Sequence, residues 1–124
     1  MKSILFVDDH EPLAHLTCEI LQRSGYRVEC AYNGPEALAK FEQGSFDIVV
    51  TDLLMEGMDG MELARRLRQQ APELPIVIVT GCADIEPSAE VNAWIGKQEM
   101  FPMLVDTLRQ LLHESTPDEI LQRG

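Results

Sequence analysis

The stretch ILFVDDHEP, residues 4–12, is central to the fold because four apolar residues run directly into two adjacent carboxylates, Asp8 and Asp9. A short apolar run bounded by charged residues is typical of a strand buried inside a sheet. Like charges that are brought together and partly buried repel each other, which raises the free energy of the fold. We therefore expect compensation at this spot, from a bound cation, a lysine elsewhere in the chain, or water at an exposed strand end.

Composition limits the classes of function. A chain of 124 residues is the size of one domain and is long enough to bury a core. Its apolar runs fall short of the ~20 residues that cross a bilayer, and its N-terminal run is too short for a signal peptide. We expect a cytoplasmic protein with no membrane partner. The 21 acidic and 10 basic residues give a net charge of −11, which argues against direct nucleic-acid binding.

The cysteines and one basic cluster have ordinary interpretations. Cys18, Cys30 and Cys82 are odd in number, widely spaced and without a CxxC pair. They are expected to be reduced thiols in the core or in loops, and not a disulfide framework or a zinc site. The cluster RRLR, residues 65–68, is typical of a solvated helix face, and a docking patch for an acidic partner is the alternative.

Short apolar runs alternate with segments of helical period along the chain. Five runs are candidate strands: ILFV (4–7), RVECA (27–31), DIVVT (47–51), IVIVT (76–80) and NAWIG (92–96). Only in RVECA do apolar residues alternate with charged ones, which predicts an edge strand. Strand–helix alternation predicts an α/β fold with a doubly wound, five-stranded parallel sheet of order 2-1-3-4-5.

Apolar residues at helical spacing mark four helices. They are Leu13, Leu16, Ile20 and Leu21 in the first helix, Ala37, Leu38 and Phe41 in the second, Leu63, Ala64 and Leu67 in the third, and Leu104, Leu108, Leu111 and Leu112 in the last. Gly25 is a stop signal for the first helix. Pro35 and Pro102 are expected in the first turns of the second and last helices.

Two segments lack a clear pattern. Residues 81–92 carry no convincing apolar stripe, so the fourth helix, between the last two strands, is predicted to be shortened or irregular. Residues 115–124 are too few for a second domain. We therefore expect one domain over residues 1–114, followed by a C-terminal tail or linker stub.

Chemically active residues follow the predicted strands. Asp8 and Asp9 follow strand 1, Asp52 follows strand 3, Thr80 ends strand 4 and Lys97 follows strand 5. Ligands of open α/β sheets bind at this carboxyl edge. Carboxylates are suitable ligands for Mg²⁺, an exposed carboxylate can attack phosphorus, and an ammonium and a hydroxyl can stabilise a phosphoryl group. The combination predicts a magnesium-dependent phosphoryl site.

The chain resembles the receiver domains of two-component response regulators, from ILFVDDHEP through VVTDLLMEGMDGMEL and PIVIVTG to WIGKQEM. The resemblance implies a flavodoxin-like receiver fold. It also implies that a histidine kinase or a histidine phosphotransfer protein donates a phosphoryl group to the chain, with Mg²⁺ or Mn²⁺ as cofactor. Such a domain switches a protein-interaction surface in signal transduction, and catalyses at most its own phosphorylation and dephosphorylation.

The resemblance also implies roles for individual residues in the acidic pocket. Asp52 matches the family's phosphoacceptor and is also one of its metal ligands, and Asp9 matches the direct metal ligand. Asp8 matches the acid that holds metal-bound water, and Leu54 matches the residue whose backbone carbonyl binds the metal.

Three further residues match positions at which the family senses the phosphoryl group, and two histidines have a simpler explanation. Thr80 resembles the hydroxyl residue that reports phosphorylation, and Lys97 the lysine that pairs with the phosphoryl group. Trp94 occupies the aromatic switch position, although a lone tryptophan near a sheet edge is also typical of simple packing. His10 and His15 are expected to be exposed residues and not metal ligands.

The sequence departs from the family pattern at three places. Glu56 stands where a proline is usual, and is expected to loosen the loop after Asp52. The interval from Thr80 to Lys97 is shortened, which predicts an unusual output surface in place of the common dimer face. Gln98 replaces the proline after Lys97. Since a cis bond costs ~2.5–4 kcal/mol without proline, we predict a trans Lys97–Gln98 peptide and a shifted loop.

Two other functions are compatible with the same residues. A pseudo-receiver would keep the fold as a binding module without phosphorylation, and the short fourth helix and Gln98 favour it. An aspartate-nucleophile phosphatase also places a carboxylate and Mg²⁺ at strand ends. Such enzymes generally carry Asp-x-Asp after the first strand, whereas this chain has Asp8 and Asp9 adjacent.

Overall fold

The computed structural model describes residues 1–81 and 89–112, except for the side chain of Pro102. Its elements are β1 (Ser3–Val7), α1 (Glu11–Arg23), β2 (Arg27–Ala31), α2 (Gly34–Gln43), β3 (Ile48–Asp52), α3 (Gly60–Gln70), β4 (Ile76–Thr80), β5 (Ala93–Gly96), a 3-10 helix (Lys97–Glu99) and α4 (Met100–Leu111). The helix α4 is the last of the predicted helices. The described residues do not include the middle of the predicted irregular helix, Cys82 or the 115–124 tail. None of the described helices is long and apolar enough to cross a membrane.

The five strands form one parallel sheet in the order β2-β1-β3-β4-β5, which confirms the predicted topology. Every residue of β1, β3 and β4 is buried, as the uninterrupted apolar runs predict. Burial alternates along β2, because this strand is at the edge of the sheet. The two central strands, β1 and β3, therefore bring their carboxyl ends side by side in the middle of the molecule.

Each face of the sheet is covered by helices. Ile4 and Phe6 of β1 belong to one apolar core with Leu104 and Leu108 of α4, and α1 packs on the same side. The alternate residues of β1 face the other core, which contains the three predicted apolar residues of α3: Leu63, Ala64 and Leu67. Helices on both faces keep water away from the strands and leave the strand ends as the accessible part of the sheet.

The buried stripe of α1 differs from the prediction. Leu16 was expected in the core, but its side chain is 48% exposed. The buried residues of the helix are Ala14, Thr17, Cys18 and Leu21. Thr17 can be buried because its hydroxyl donates a hydrogen bond to the Leu13 carbonyl at 2.8 Å. Small residues let α1 lie close to the sheet, and the larger leucine is turned to solvent.

The expectation of reduced thiols is wrong for two cysteines. Cys18 of α1 and Cys30 of β2 form a disulfide across a Cα–Cα distance of 6.8 Å. The helix packs against the neighbouring strand, so that residues 12 positions apart in the sequence become adjacent in space. A CxxC motif reports only local pairs, and this pair forms through tertiary packing.

The basic cluster at the end of α3 is divided between two roles. Arg66 is exposed and pairs with Glu62 at 3.1 Å, as expected for a solvated helix face. Arg68, in contrast, is used internally. Its guanidinium donates to the carbonyls of Ala71, Pro72, Leu74 and Glu90 and to the side-chain oxygen of Asn92. The expectation of a uniformly solvated face is therefore wrong at Arg68, which joins α3 to the segments that precede β4 and β5.

Three helices begin with a side-chain cap immediately after the carboxyl edge of the sheet. The acceptors are His10 Nδ1 for the Leu13 amide, Asn33 Oδ1 for the Glu36 amide and Asp59 Oδ1 for the Glu62 amide. Such caps satisfy N–H groups that lack intrahelical partners. They fix where each helix starts, and with it the length of the loops around the strand ends. His10 and His15 are both exposed, as expected.

Candidate metal site

Three carboxylates meet at the carboxyl edge of the two central strands. Asp8 and Asp9 follow β1, and Asp52 is the last residue of β3. One oxygen from each carboxylate lies within 4.8 Å of the others. Asp8 and Asp52 are only 2% and 3% exposed, whereas Asp9 is open to solvent. The pairing of β1 with β3 therefore produces the acidic cluster that the sequence predicts.

The electrostatics of the cluster favour a bound positive charge. Burial raises the pKa of Asp8, and the negative charges of Asp52 and Asp9 raise it further. A hydrogen bond of 3.0 Å from the His10 amide and the nearby Lys97 ammonium lower the same pKa in part. Because the net pKa is raised, the Asp8 carboxylate is under-compensated by the protein groups around it.

Lys97 supplies part of the predicted compensation. Its ammonium nitrogen lies 3.1 Å from Asp52 Oδ2, in an ion pair whose aspartate side is almost fully buried. The described residues include no cis peptide bond, which confirms the predicted trans Lys97–Gln98 peptide. A 3-10 helix begins at Lys97 directly after β5, and the long lysine side chain extends to the acids from there. The departure at Gln98 therefore does not prevent the contact with Asp52.

The remaining predicted residues lie around this cluster. Thr80 is buried at the end of β4, one residue beyond Val79, which pairs with Asp52 in the sheet. Leu54 lies two residues after Asp52 and its side chain is 62% exposed. Trp94 is on β5 opposite Ile78 and is partly buried. Its indole N–H is buried without a hydrogen-bond partner in the described part of the chain.

Gly60 is a further residue of the site, and it was not predicted from the sequence. A Cβ atom at this position would lie 2.3 Å from the backbone oxygen of Asp52, so any larger residue forces the backbone apart. The Gly60 amide also donates to the Leu53 carbonyl at 2.8 Å. The first residue of α3 therefore packs directly against the backbone at the end of β3. The sequence signal was the capping residue Asp59 followed directly by glycine.

The loop after Asp52 contains a second unforeseen contact. The backbone N–H of Glu56 donates to Asp9 Oδ2 at 3.2 Å. A proline, which has no N–H, cannot make this bond. We expected Glu56 to loosen the loop, and the structure instead shows the loop tied to the acidic cluster at this residue. Gly57 follows with a φ of 79°, a left-handed conformation that suits glycine.

The donor set fits a hard divalent cation. All three converging groups offer carboxylate oxygens, the ligand type that Mg²⁺ prefers. An octahedral ion with bonds of about 2.1 Å places its ligand oxygens about 3.0 to 4.2 Å apart. Separations of up to 4.8 Å therefore need only small side-chain rotations to close around such an ion.

Known proteins share both the sequence pattern and the fold. A family model described as the response regulator receiver domain matches residues 4–100. The response regulator receiver protein CpdR of Brucella abortus is 33% identical over 93 residues, which are 75% of this chain and 78% of that protein. The sensory transduction protein RegX3 of Mycolicibacterium smegmatis is 38% identical over 99 residues, or 80% of this chain and only 42% of that protein.

Solved structures agree with this assignment. The response regulator TrrA of Thermotoga maritima, described in complex with Mg(2+)-BeF, superposes with a TM-score of 0.82 at 34% identity and covers 90% of this chain and 99% of its own. TrrA is also described in complex with the histidine kinase ThkA. A CheY-like receiver domain protein of Methanospirillum hungatei gives a TM-score of 0.84 at 32% identity, over 100% of this chain and 99% of its own. The chain belongs to the response regulator receiver domain family of two-component signal transduction.

Proposed function

We propose that Asp52 accepts a phosphoryl group from a phosphohistidine, in a reaction that depends on Mg²⁺ or Mn²⁺. The observation that carries the proposal is the convergence of Asp8, Asp9 and Asp52 within 4.8 Å, with Lys97 paired to Asp52. One strand end supplies the nucleophile, a neighbouring strand end supplies two further acids, and the lysine adds a positive charge. That arrangement suits a carboxylate nucleophile attacking an anionic phosphorus centre.

The ion pair with Lys97 distinguishes the two oxygens of Asp52. Oδ2 faces the lysine ammonium at 3.1 Å, which leaves Oδ1 to act as the nucleophile. Oδ1 forms the new bond to phosphorus while the P–N bond to the donor histidine breaks and the imidazole leaves with the bonding electrons. Lys97 then neutralises charge on the transferred phosphoryl oxygens.

The acids beside Asp52 would hold the metal. Asp9 would bind it directly, Asp8 would hold its water, and Asp52 and the backbone carbonyl of Leu54 would complete the protein ligands. Bound there, the ion would neutralise charge on the phosphoryl oxygens during transfer. The raised pKa of Asp8 supports the assignment, because an under-compensated buried carboxylate gains most from a neighbouring cation.

The switch would begin at the end of β4. Phosphorylation adds negative charge and acceptor oxygens beside Thr80, whose hydroxyl can donate to them. Movement of Thr80 would shift the segment that follows β4 and, with it, β5, which carries the partly buried Trp94. The output surface would then be this segment together with β5 and α4.

The donor would be a histidine kinase or a histidine phosphotransfer protein, as supported by the complex of TrrA with its kinase. We propose that residues 1–114 act as the receiver unit in the cytoplasm, with 115–124 as a tail or linker. The output partner would be a protein and not a nucleic acid, given the net charge of −11. The chain would act as a switch that catalyses at most its own phosphorylation and dephosphorylation.

Intact-mass measurement after incubation with Mg²⁺ and acetyl phosphate tests the proposal. The wild type is expected to gain one phosphoryl group that hydroxylamine removes, while Asp52→Asn and a sample with EDTA gain none. The Asn control keeps the size of the side chain and removes the nucleophile. No adduct, under conditions that modify a known receiver, would favour the pseudo-receiver function. Continuous release of phosphate from small esters would favour the phosphatase.

A further inference from the structure

Each acid of the cluster has its own hydrogen-bond donor, and the donor to Asp9 is the least expected. Asp8 accepts from the His10 amide at 3.0 Å, and Asp52 pairs with a lysine. Asp9 accepts from the backbone N–H of Glu56 at 3.2 Å, through Oδ2. Among the described residues this is the one protein donor to the Asp9 carboxylate. It comes from the β3–α3 loop, 47 residues away in sequence.

The position of Asp9 depends on this bond more than the positions of its neighbours do. Asp8 and Asp52 are buried and are therefore confined by packing, whereas Asp9 is exposed and is not confined in that way. Repulsion from the two neighbouring carboxylates would turn it toward solvent, away from the other acids. A carboxylate can accept several hydrogen bonds and still bind a metal, because it has about four lone-pair sites. The amide can thus hold Oδ2 while the other lone pairs remain available.

We propose that the backbone N–H of Glu56 is a positioning group that holds Asp9 ready for the metal. The proposal rests on the proposed function, in that it assumes a divalent cation binds the three acids. The Glu56 side chain is exposed and has no part in the bond, so the positioning function resides in the backbone. Any residue except proline can supply it at this position.

The chain offers a matched pair of substitutions at one residue. Glu56→Ala removes the carboxylate and keeps the N–H, and Glu56→Pro removes both. The φ of 79° at Gly57 is that of the third residue of a type II turn, which accepts proline at the preceding position. The proline variant is therefore compatible with the loop, and circular dichroism with thermal melting checks that both variants fold.

Isothermal titration of each folded chain with MgCl₂ measures the effect without any phosphorylation step. Glu56→Ala is expected to bind Mg²⁺ within about twofold of the wild type, because the Glu56 side chain is exposed and exposed charges interact weakly in water. Glu56→Pro is expected to bind about tenfold more weakly, as is typical when the partner of a metal ligand is lost. Equal affinities of the two variants would overturn the positioning role. Absence of Mg²⁺ binding to the wild type would instead contradict the proposed function, and the positioning role with it.

A second measurement keeps the proposal testable if the proline variant does not fold. The amide proton of Glu56 is expected to resonate downfield in the NMR spectrum of the metal-free wild type, because it is bonded to a charged carboxylate. In Asp9→Ala this shift is expected to disappear, with amides of α1 largely unchanged. An amide shift that is the same in both chains would contradict the hydrogen bond and the proposal.

Discussion

The two edges of the same sheet use polar residues in opposite ways. At the carboxyl edge, Asp8, Asp9 and Asp52 crowd together, with Lys97 as the cation beside them. At the amino edge, Arg68 donates to several carbonyls that surround it. One edge concentrates like charges that the protein compensates only in part. The other edge uses its charged side chain to bond carbonyl oxygens of the protein itself, through both terminal nitrogens of the Arg68 guanidinium.

This difference indicates that polar residues at the carboxyl edge serve function, whereas those at the amino edge serve stability. Like charges held together raise the free energy of the folded state, and a ligand of opposite charge can lower it again. Hydrogen bonds that join separate segments lower the free energy of the folded state itself. Substitutions at the carboxyl edge are therefore expected to alter metal response at little cost in stability. Substitutions at the amino edge are expected to do the reverse.

The largest expected effect is at the amino edge. Arg68→Ala removes the donor that joins α3 to the segments before β4 and β5. Because charged hydrogen bonds contribute about 1.5–3 kcal/mol each and do not add fully, we expect the free energy of unfolding to fall by about 3 kcal/mol. Urea denaturation of the metal-free protein measures it.

A matched control for that prediction lies on the same helix. Arg66→Ala removes an arginine that forms one ion pair in the described part of the chain, an exposed one with Glu62. We expect its free energy of unfolding to stay within about 0.5 kcal/mol of the wild type. Equal losses for the Arg66 and Arg68 variants would contradict the contrast between a solvated and an internally bonded arginine.

The second largest effect is expected at Gly60, a residue of the carboxyl edge that contributes to stability. Gly60→Ala places a Cβ 2.3 Å from the Asp52 backbone oxygen, and relief of this overlap must displace β3 or α3. We expect a loss of about 2 kcal/mol in the free energy of unfolding, measured by urea denaturation. Gly57→Ala meets no atom within 4 Å and should cost about 1 kcal/mol, from its positive φ alone. A Gly60 variant as stable as the wild type would refute the close contact.

The third prediction concerns the cation of the acidic edge. Lys97→Met keeps the aliphatic stem and removes the charge that pairs with Asp52. In EDTA we expect a loss of about 1 kcal/mol in the free energy of unfolding, because the acids lose the ammonium group that offsets part of their mutual repulsion. Added Mg²⁺ should raise the melting temperature of this variant at least as much as that of the wild type. If added Mg²⁺ does not reduce the loss of stability, the contradiction is direct: the metal and the Lys97 ammonium would not offset the same negative charges.

The smallest effect is expected at Asp8 and has a pH dependence of known sign. Burial raises its pKa in the folded protein above the ordinary value of 3.8, so the folded state binds the proton more tightly than the unfolded chain does. The stability contributed by Asp8 is therefore present below that value and is lost as pH rises through the folded-state pKa.

Asp8→Asn removes this pH-dependent contribution to the free energy of unfolding and keeps an acceptor for the His10 amide. Without metal, we expect the variant to be more stable than the wild type at neutral pH, by less than about 1 kcal/mol. The difference should shrink as the pH is lowered into the acid range. Urea denaturation at several pH values in EDTA measures it, and a difference that grows toward acid pH would contradict the sign.

Sequence alone predicted the sheet order and the convergence of the acids. Uninterrupted apolar runs such as ILFV define central strands, and parallel strands necessarily bring the residues that follow them to one edge. The placement of Asp8, Asp9 and Asp52 therefore follows from pattern and topology. The contact of Lys97 with Asp52 follows in the same way, since β5 ends at the same edge.

The errors have one physical cause, which is that tertiary packing decides between locally equivalent choices. The first helix has two overlapping apolar stripes, and close packing on the sheet selected the one with smaller residues over Leu16. The Cys18–Cys30 bond and the role of Arg68 depend on partners far away in sequence. The Glu56 contact involves a backbone N–H, which every residue except proline carries, so no residue type signals it.

A crystal structure of the chain with Mg²⁺ and beryllium fluoride would test the acidic edge most directly, because this group mimics a phosphoryl group on a carboxylate. We predict density for the metal between Asp8, Asp9 and Asp52, and for the fluoride group on Asp52 alone. Lys97 and the Thr80 hydroxyl should contact the fluorides. A metal bound elsewhere, or a fluoride group absent from Asp52 at saturating concentrations, would contradict the assignment of Asp52 as the phosphoacceptor.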